Sequence, residues 1–226
     1  MKQYAVIVAG GTGSRMGGSI PKQFRSLNGR PVLWWSIKAF HDENPDTRVI
    51  VVLPQEFISL WKDFYSSLPE KERFENIVVS GGNTRGDSVK NGLSVIDSDD
   101  SLVAVHDGAR PLVKPATITK GWEVANEKGA AIPSVPVTDS IRKLFTGGSE
   151  SVDRKDYVAV QTPQVFRTSL LKEAYLKAGD LTFTDDASVA EYAGNKVTLF
   201  DGRADNIKIT NPKDLAIAAV IMGKDA

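Results

Sequence analysis

The sequence predicts an α/β protein with a mostly parallel, doubly wound sheet and a projecting β-arm. Three features predict it: short apolar runs rich in β-branched residues, segments with helical spacing between them, and glycine-rich turns where several runs end. Strands that are buried on both faces of a parallel sheet have such continuous apolar runs. Because strands and helices alternate along the chain, we expect helices on both faces of the sheet.

The core strands and the helices that connect them can be placed in order. The predicted strands are the apolar runs Tyr4–Ala9, Arg48–Leu53, Asn76–Ser80 and Leu102–His106. Apolar residues at helical spacing predict helices over Pro31–Phe40, Gln55–Leu68 and Thr84–Ile96. Further helices are expected to begin at Pro115 and at Pro212, the latter capped by Asn211.

The stretch from about 137 to 158 interrupts this rhythm. It alternates weakly in polarity and contains Gly147 and Gly148, which predicts a hairpin-like arm that projects from the sheet. No long linker, repeat or low-complexity tract divides the chain. We therefore expect residues 1–226 to form one domain with the arm at about 137–158.

Composition excludes several functional classes. Lys and Arg number 28 and Asp and Glu number 28, so the formal net charge is zero, which argues against a nucleic-acid-binding surface. Cysteine is absent, which excludes disulfides and thiolate chemistry. The apolar N-terminal run is too short for a signal peptide, and no run approaches the roughly 20 residues of a membrane span. We expect a cytoplasmic protein without nucleic-acid or membrane partners.

The segment after the first strand, residues 9–17 (AGGTGSRMG), is the most informative one. It lies where ligands bind in open α/β sheets, and its glycines let backbone N–H groups approach a triphosphate. Arg15 and Lys22 add positive charge at the same place. The segment lacks the Lys-Ser/Thr ending of a P-loop, and Met16 replaces the third glycine of the dinucleotide-binding motif. An ordinary glycine turn would not need both cations.

These residues resemble the glycine-rich signature of the sugar-phosphate nucleotidyltransferases. The resemblance implies that the loop wraps a nucleoside triphosphate and that Arg15 and Lys22 stabilise the transition state. The backbone residues that would contact the nucleotide are Ala9, Gly10, Gly11 and Gly13.

A second polar constellation, residues 80–89 (SGGNTRGDSV), follows the third strand and opens a helix. Such a position suits a base and ribose pocket, although Asn83 could instead simply cap the helix. The segment resembles the corresponding one of the methylerythritol phosphate cytidylyltransferases. In that family the counterparts of Gly82 and Ser88 contact the cytosine nucleotide. Many members have an acidic residue where this chain has Asn83.

A third constellation, residues 105–111 (VHDGARP), ends the fourth strand. Asp107 is well placed to hold Mg²⁺ or a substrate hydroxyl, and Arg110 suits a phosphate or a polyol. For His106 we favour a hydrogen-bonded structural role. The segment resembles the motif of the same cytidylyltransferase family, and Gly108-Ala109 favours it over the relatives that use ribitol phosphate.

The C-terminal half extends the resemblance over nearly the whole chain through residues 161–166 (QTPQVF), 184–188 (TDDAS) and 202–210 (GRADNIKIT). Taken singly these segments are weak signals: Thr184-Asp185 could cap a helix, and Lys208 could be a solvent-facing residue of an Ile-Lys-Ile strand. The resemblance implies that Arg154 and Lys208 position the attacking phosphate. It also implies an acceptor site lined by Arg110, Ser140 (usually Thr) and Thr162, and a homodimer whose arms exchange, so that Arg154 serves the neighbour's site.

The implied reaction joins CTP to 2-C-methyl-D-erythritol 4-phosphate in non-mevalonate isoprenoid biosynthesis. A phosphate oxygen of the acceptor would attack the α-phosphorus, with Mg²⁺ on the triphosphate and no general base. The nearest alternative is a ribitol-5-phosphate cytidylyltransferase. A non-catalytic nucleotide-binding protein should lack one of the two loop cations, and a dehydrogenase should have the third glycine.

Overall fold

The structure, a computed structural model, describes residues 1–11 and 21–224. The strands are β1 (Lys2–Val8), β2 (Ser26–Leu27), β3 (Arg30–Pro31), β4 (Arg48–Leu53), β5 (Asn76–Ser80), β6 (Ser101–Asp107), β7 (Ala130–Pro136), β8 (Arg142–Phe145), β9 (Gly148–Ser151), β10 (Val158–Val160), β11 (Gln164–Arg167) and β12 (Thr198–Asp201). The α-helices are α1 (Val32–Glu43), α2 (Ile58–Ser67), α3 (Arg85–Ser94), α4 (Pro115–Lys128), α5 (Thr168–Ala178), α6 (Asp186–Tyr192) and α7 (Pro212–Lys224).

The main sheet has eight strands, in the order β10-β7-β11-β6-β1-β4-β5, with β12 paired to β7. The central pairs β1–β4, β1–β6 and β4–β5 are parallel, as is β7–β12, whereas β10 and β11 run antiparallel to their neighbours. The prediction of a mostly parallel sheet is therefore confirmed. The parallel pairing also brings the carboxyl ends of β1, β5 and β6 to one edge.

Helices cover both faces of the sheet. The side chains of β1 alternate between these faces and pack against different helices on each. Ala5 and Ile7 pack into one apolar cluster with residues of α1, α2 and α4. Tyr4 and Val6 point to the other cluster, which α3, α5 and α6 complete. All four side chains are buried, so β1 is a central strand without a solvent face. A third cluster packs α7 beside Leu27.

The predicted arm contains a two-stranded hairpin, in which β8 and β9 pair antiparallel around Gly147, whose φ is +89°. Leu144 and Phe145 on this hairpin are 79% and 54% exposed. Val158 and Val160 of the adjacent strand β10 are also exposed. Four large apolar side chains thus face outward on and beside the arm.

The structure does not support two alternatives that the sequence left open. Residues 207–209 do not form a strand: they run as an extended segment, whose Ile209 N–H donates to the Ala109 carbonyl. Helix α3 is capped by Thr84 rather than by Asn83, because Thr84 and Asp87 form a reciprocal capping box. Within the described part of the chain, no helix has the length and apolar character required to cross a bilayer.

Candidate active site

A first cavity, of about 250 Å³, opens where β1, β5 and β6 end. Five parts of the chain line it, which are the end of β1, residues 22 and 23, the turn into α3, the end of β6, and Lys208. The lining residues are Val8, Ala9, Gly10, Gly11, Lys22, Gln23, Gly82, Asn83, Thr84, Arg85, Ser88, Asp107, Ala109 and Lys208. Six residues predicted to contact the nucleotide, Ala9, Gly10, Gly11, Gly82, Ser88 and Asp107, line this one space.

A second cavity, of about 190 Å³, lies beside the first. Its lining residues are Arg85, Asp107, Arg110, Val160, Gln161, Thr162, Gln164, Thr184, Asp185 and Lys208. Arg85, Asp107 and Lys208 belong to both cavities. We call these three residues the shared wall, because a ligand in either cavity would meet them.

Asp107 is the negative centre of the shared wall. The Lys208 Nζ lies 2.9 Å from its Oδ2, the Arg110 Nε lies 3.5 Å from the same oxygen, and the Arg85 Nε lies 3.9 Å from Oδ1. Burial raises the pKa of the Asp107 carboxyl. The nearby cations, Lys208 first, lower it by more than burial raises it, so that the pKa is about 2. Asp107 is therefore a carboxylate at any physiological pH.

This arrangement does not fit the prediction that Asp107 holds Mg²⁺. Three cationic groups already lie within 4 Å of its oxygens, and they would repel a divalent cation. Within residues 1–11 and 21–224, no group of three or more His, Asp or Glu side chains could hold a metal ion. The surroundings of Asp107 thus suit a carboxylate that holds cationic side chains in place rather than one that binds a metal ion.

Lys22 is held in place by a hydrogen bond to the segment that contains Lys208. Its Nζ donates a hydrogen bond of 3.0 Å to the carbonyl of Ile209, the residue that follows Lys208. The neighbouring Gln23 is buried and donates from Nε2 to the Ala9 carbonyl at 2.7 Å. Gln23 therefore connects the segment that begins at residue 21 to the end of β1. Lys22 and Lys208 consequently lie on the rim of the same cavity.

The turn into α3 is shaped by Ser88. Its Oγ accepts a hydrogen bond from the Gly82 N–H at 3.1 Å and donates to the Thr84 carbonyl at 3.0 Å. Ser88 is 3% exposed, so its hydroxyl is engaged within the protein. The side chain that the sequence suggested as a ligand contact thus also fixes the backbone that lines the first cavity.

Replacing Gly82 with Ala is expected to raise the KM for the ligand of the first cavity about tenfold or more. A Cβ at this position would overlap the Cβ of Asp87 and lie 3.2 Å from the Asp87 carbonyl carbon, so the backbone of the turn must shift. Steady-state kinetics with the nucleotide varied would measure the change. Gly223→Ala is the matched control, because it introduces a Cβ into open space on helix α7, at a residue that lines neither cavity. An unchanged KM in the Gly82 variant would contradict the prediction.

His106 has the structural role that the sequence favoured. It is fully buried; its Nε2 lies 3.2 Å from the Arg110 carbonyl and its Nδ1 lies 3.1 Å from the Thr162 Oγ1. Because a carbonyl oxygen only accepts, the ring proton is on Nε2, and the Thr162 hydroxyl donates to Nδ1. Thr162 Oγ1 in turn accepts from the Asp107 N–H at 3.0 Å. This chain of hydrogen bonds fixes the backbone of Asp107.

Stability is expected to fall as the pH drops from 6.5 towards 4, because of His106. Burial lowers the pKa of His106 from 6.5 to about 4, so between these values the unfolded chain binds a proton that the folded chain does not. The predicted loss reaches about 3 kcal/mol at the lower end. Urea unfolding of the wild type and of His106→Gln at several pH values would measure it. Parallel curves for the two proteins would contradict the assignment to His106.

The wall of the second cavity depends on two amides that the sequence analysis missed. Gln161 donates from Nε2 to the Arg203 carbonyl at 2.8 Å. Asn206 donates from Nδ2 to the Thr162 carbonyl at 2.9 Å, and the backbone carbonyl of Asn206 accepts from the Arg110 Nη1 at 2.7 Å. Both amides lie inside segments that the sequence indicated, but pairing between residues 42 and 44 positions apart has no local signal.

Comparison with known proteins gives this architecture a family. A family model described as 2-C-methyl-D-erythritol 4-phosphate cytidylyltransferase matches residues 3–224. This chain belongs to that family. The cytidylyltransferases of this name from Phocaeicola vulgatus and Bacteroides thetaiotaomicron are each 46% identical to it. Each alignment covers 98% of this chain and 100% of the relative.

Solved structures of cytidylyltransferases agree in fold. The 2-C-methyl-D-erythritol 4-phosphate cytidylyltransferase of Thermus thermophilus superposes with a TM-score of 0.77 at 32% identity, covering 96% of this chain and 98% of that one. The 4-diphosphocytidyl-2C-methyl-D-erythritol synthase of Anaerococcus prevotii gives a TM-score of 0.83 at 25% identity, with 98% of both chains covered. The predicted α/β fold and the predicted family are therefore confirmed.

Two residues that the cytidylyltransferase resemblance implicated lie apart from the cavities. Ser140 and Arg154 are exposed residues of the arm and line neither cavity. Arg154 donates from Nη1 to the Thr138 carbonyl, so its guanidinium rests on the arm itself. Two other implicated residues, Gly13 and Arg15, lie outside the described residues.

Proposed function

We propose that this chain transfers the cytidylyl group of CTP to 2-C-methyl-D-erythritol 4-phosphate, giving 4-diphosphocytidyl-2-C-methyl-D-erythritol and pyrophosphate. The single observation that supports it best is the shared wall between two cavities. A transferase that joins two phosphorylated substrates needs two adjoining sites and positive charge where they meet. Family membership supplies the identity of the substrates.

The first cavity is the proposed CTP site. Its floor is the backbone of Ala9, Gly10 and Gly11 with Gly82, where amides can approach the nucleotide closely. Gly13 and Arg15 are proposed to continue this floor around the triphosphate. The second cavity is the proposed acceptor site, and Arg110 and Thr162 belong to its wall. An acceptor there would reach the α-phosphate of CTP across Asp107 and Lys208.

The proposed chemistry is an in-line displacement. An acceptor phosphate oxygen forms a bond to the α-phosphorus, and the bond from that phosphorus to the bridging oxygen of the β-phosphate breaks, so the electron pair leaves on pyrophosphate. No general base is needed, because a phosphate monoester is already ionised near neutral pH. The protein's part is to hold two polyanions in line and to offset their charge. Lys22, Lys208 and Arg15 are the cations proposed for that part.

The divalent cation that the resemblance implies is assigned no ligand on the protein. The cationic surroundings of Asp107 argue against direct coordination there. Oxygen atoms of a triphosphate are themselves ligands that Mg²⁺ prefers. Mg²⁺ therefore remains part of the proposal as a companion of CTP, and the proposed roles of the residues do not depend on it.

The proposed protein is a homodimer joined through the arm. The exposed Leu144 and Phe145, with Val158 and Val160 beside them, support this proposal, because apolar patches of that kind are typical of interfaces. In such a dimer the arm of one subunit would bring Ser140 and Arg154 to the acceptor site of the other. A cytoplasmic location stays a prediction.

A matrix of substrates would test the proposed function. The purified protein is incubated with each of the four nucleoside triphosphates against 2-C-methyl-D-erythritol 4-phosphate, ribitol 5-phosphate and erythritol 4-phosphate, and pyrophosphate release is measured. We expect release with CTP and the methylerythritol phosphate to exceed every other combination by tenfold or more, on the order of one lost specific contact. Equal or faster release with ribitol 5-phosphate would overturn the proposed acceptor. No release in any combination would overturn the enzyme assignment.

A further inference from the structure

Arg85 bridges two carboxylates that belong to different parts of the fold. It is the first residue of α3, and its Nη2 donates to the Asp186 Oδ2 at 2.6 Å. On its other side, its Nε lies 3.9 Å from the Asp107 Oδ1. One guanidinium therefore connects α6 to the end of β6. A planar guanidinium is suited to such a bridge, because its donors diverge in fixed directions.

Asp186 is a fixed anchor for this guanidinium. It is 0% exposed, and its second oxygen, Oδ1, accepts from the Tyr175 hydroxyl at 2.6 Å. Its backbone N–H donates to the Gln164 Oε1 at 3.0 Å. Both carboxylate oxygens and the backbone are thus engaged. A carboxylate buried in this way needs its cationic partner, so Arg85 is held firmly in place.

The two oxygens of Asp107 face different cations. Oδ2 lies 2.9 Å from the Lys208 Nζ and 3.5 Å from the Arg110 Nε. Oδ1 has Arg85 as its ion-pair partner among the described residues. Rotation of the carboxylate about its terminal bond would break the contacts on both sides. The low pKa of Asp107, to which Arg85 contributes, agrees with this arrangement.

We propose that Arg85 is a positioning residue: anchored by Asp186, it fixes the carboxylate of Asp107, and through Asp107 it holds the Lys208 ammonium on the wall between the cavities. This role rests on the proposed function, in which Lys208 orients the acceptor phosphate. In this proposal, successive contacts lead to the reacting groups through Tyr175, Asp186, Arg85, Asp107 and Lys208. Tyr175 and Asp186 line neither cavity, and Arg85, which lines both, acts in this proposal through its ion pair with Asp107.

A double-mutant cycle on kcat/KM tests this role. Arg85→Lys keeps a positive charge beside Asp186, which favours folding, but a compact ammonium cannot bridge both carboxylates. We expect kcat/KM to fall about tenfold in Arg85→Lys, about a hundredfold in Asp107→Asn, and no further than about a hundredfold in the double variant. A loss of about a thousandfold in the double variant would show that Arg85 acts independently of Asp107, for example on a phosphate directly, and would overturn the proposal.

Two further variants guard against a purely structural explanation. Arg85→Gln combined with Asp186→Asn removes both charges of the buried pair together, and we expect the same loss of about tenfold. Arg30→Lys is the matched control, since Arg30 is paired with Glu72 at 2.7 Å, has a side-chain exposure comparable to that of Arg85, and lines neither cavity. Its kcat/KM should stay within about twofold of the wild type. A tenfold loss in this control would attribute the Arg85 effect to general destabilisation and would also overturn the proposal.

A readout that does not need turnover separates this inference from the proposed function. Acylation of Lys208 by an amine-reactive ester, followed by peptide mass spectrometry, measures how accessible and reactive that amine is, and an ion pair with Asp107 lowers both. We expect Lys208 to react about threefold faster in Arg85→Lys and in Asp107→Asn than in the wild type, as the loss of an ion pair predicts. Faster acylation in Asp107→Asn alone would overturn the role of Arg85. A wild type that releases no pyrophosphate would overturn the proposed function, while the acylation rates would still decide whether Arg85 positions Lys208.

Discussion

Replacing Lys22 with Ala is expected to lower kcat at least a hundredfold without changing the fold. Lys22 lies on the rim of the first cavity, and its ammonium is held 3.0 Å from the carbonyl of Ile209, beside Lys208. A preorganised cation at a site where phosphate charge redistributes contributes about 3 kcal/mol to the transition state. Pyrophosphate release at saturating CTP and acceptor would measure the loss, and thermal unfolding would show that the variant is folded.

Lys71→Ala is the matched control for this variant. Lys71 is exposed on a short helical turn away from both cavities, and its loss should leave kcat within about twofold of the wild type. Turnover at the wild-type rate in the Lys22 variant would remove this residue from the mechanism. A rise in KM with unchanged kcat would instead assign Lys22 to ground-state binding.

Replacing Arg154 with Ala is expected to lower kcat/KM for the acceptor about a hundredfold, although Arg154 lines neither cavity of its own subunit. The reason is the proposed exchange of arms, which would bring this guanidinium to the acceptor phosphate of the neighbour. A charged contact that is made to a phosphate during the reaction has an effect of this size. Steady-state kinetics with the acceptor varied would measure it.

Mixed dimers identify the subunit in which Arg154 acts. Arg154→Ala and Lys22→Ala subunits are unfolded together, refolded, and assayed beside each variant alone. If the arm serves the neighbour, one site of each mixed dimer has an intact Lys22 and receives an intact Arg154, and about a quarter of wild-type activity returns. If Arg154 acts within its own subunit, every site remains defective. A mixture that is no more active than its components would therefore contradict the exchange.

The parallel half of the fold could be predicted from sequence because its signals are local. Each of β1, β4, β5 and β6 is an apolar run, and each helix between them has apolar residues at helical spacing. The antiparallel insertion of β11 between β6 and β7 has no such signal, since it depends on which neighbours a strand finds in space. Residues 207–209 alternate like a strand, which the sequence left open as an alternative, but they lack a partner strand in the described structure.

The candidate site divides in the same way. Charged and glycine residues at strand ends indicated Lys22, Gly82 and Asp107, because chemistry at the carboxyl edge of a parallel sheet is a general rule. Lys208 was indicated by the family resemblance and not by its local pattern. The pairing of residues that hold one another gave no local signal. Arg85 and Asp186 are 101 positions apart, and their pairing is visible only in three dimensions. Sequence patterns therefore identify the groups that face a ligand more readily than the groups behind them.

The direction of strand β11 determines which parts of the chain form the two proposed substrate sites. Because β11 runs against β6, the residues entering it, Gln161 and Thr162, arrive at the edge where β1 and β6 leave the sheet. The proposed CTP site is lined mainly by residues before 110, and the proposed acceptor site mainly by residues from 110 onward. Substitutions in the later segments could thus change which acceptor is bound, while the residues that would bind the nucleotide stay the same.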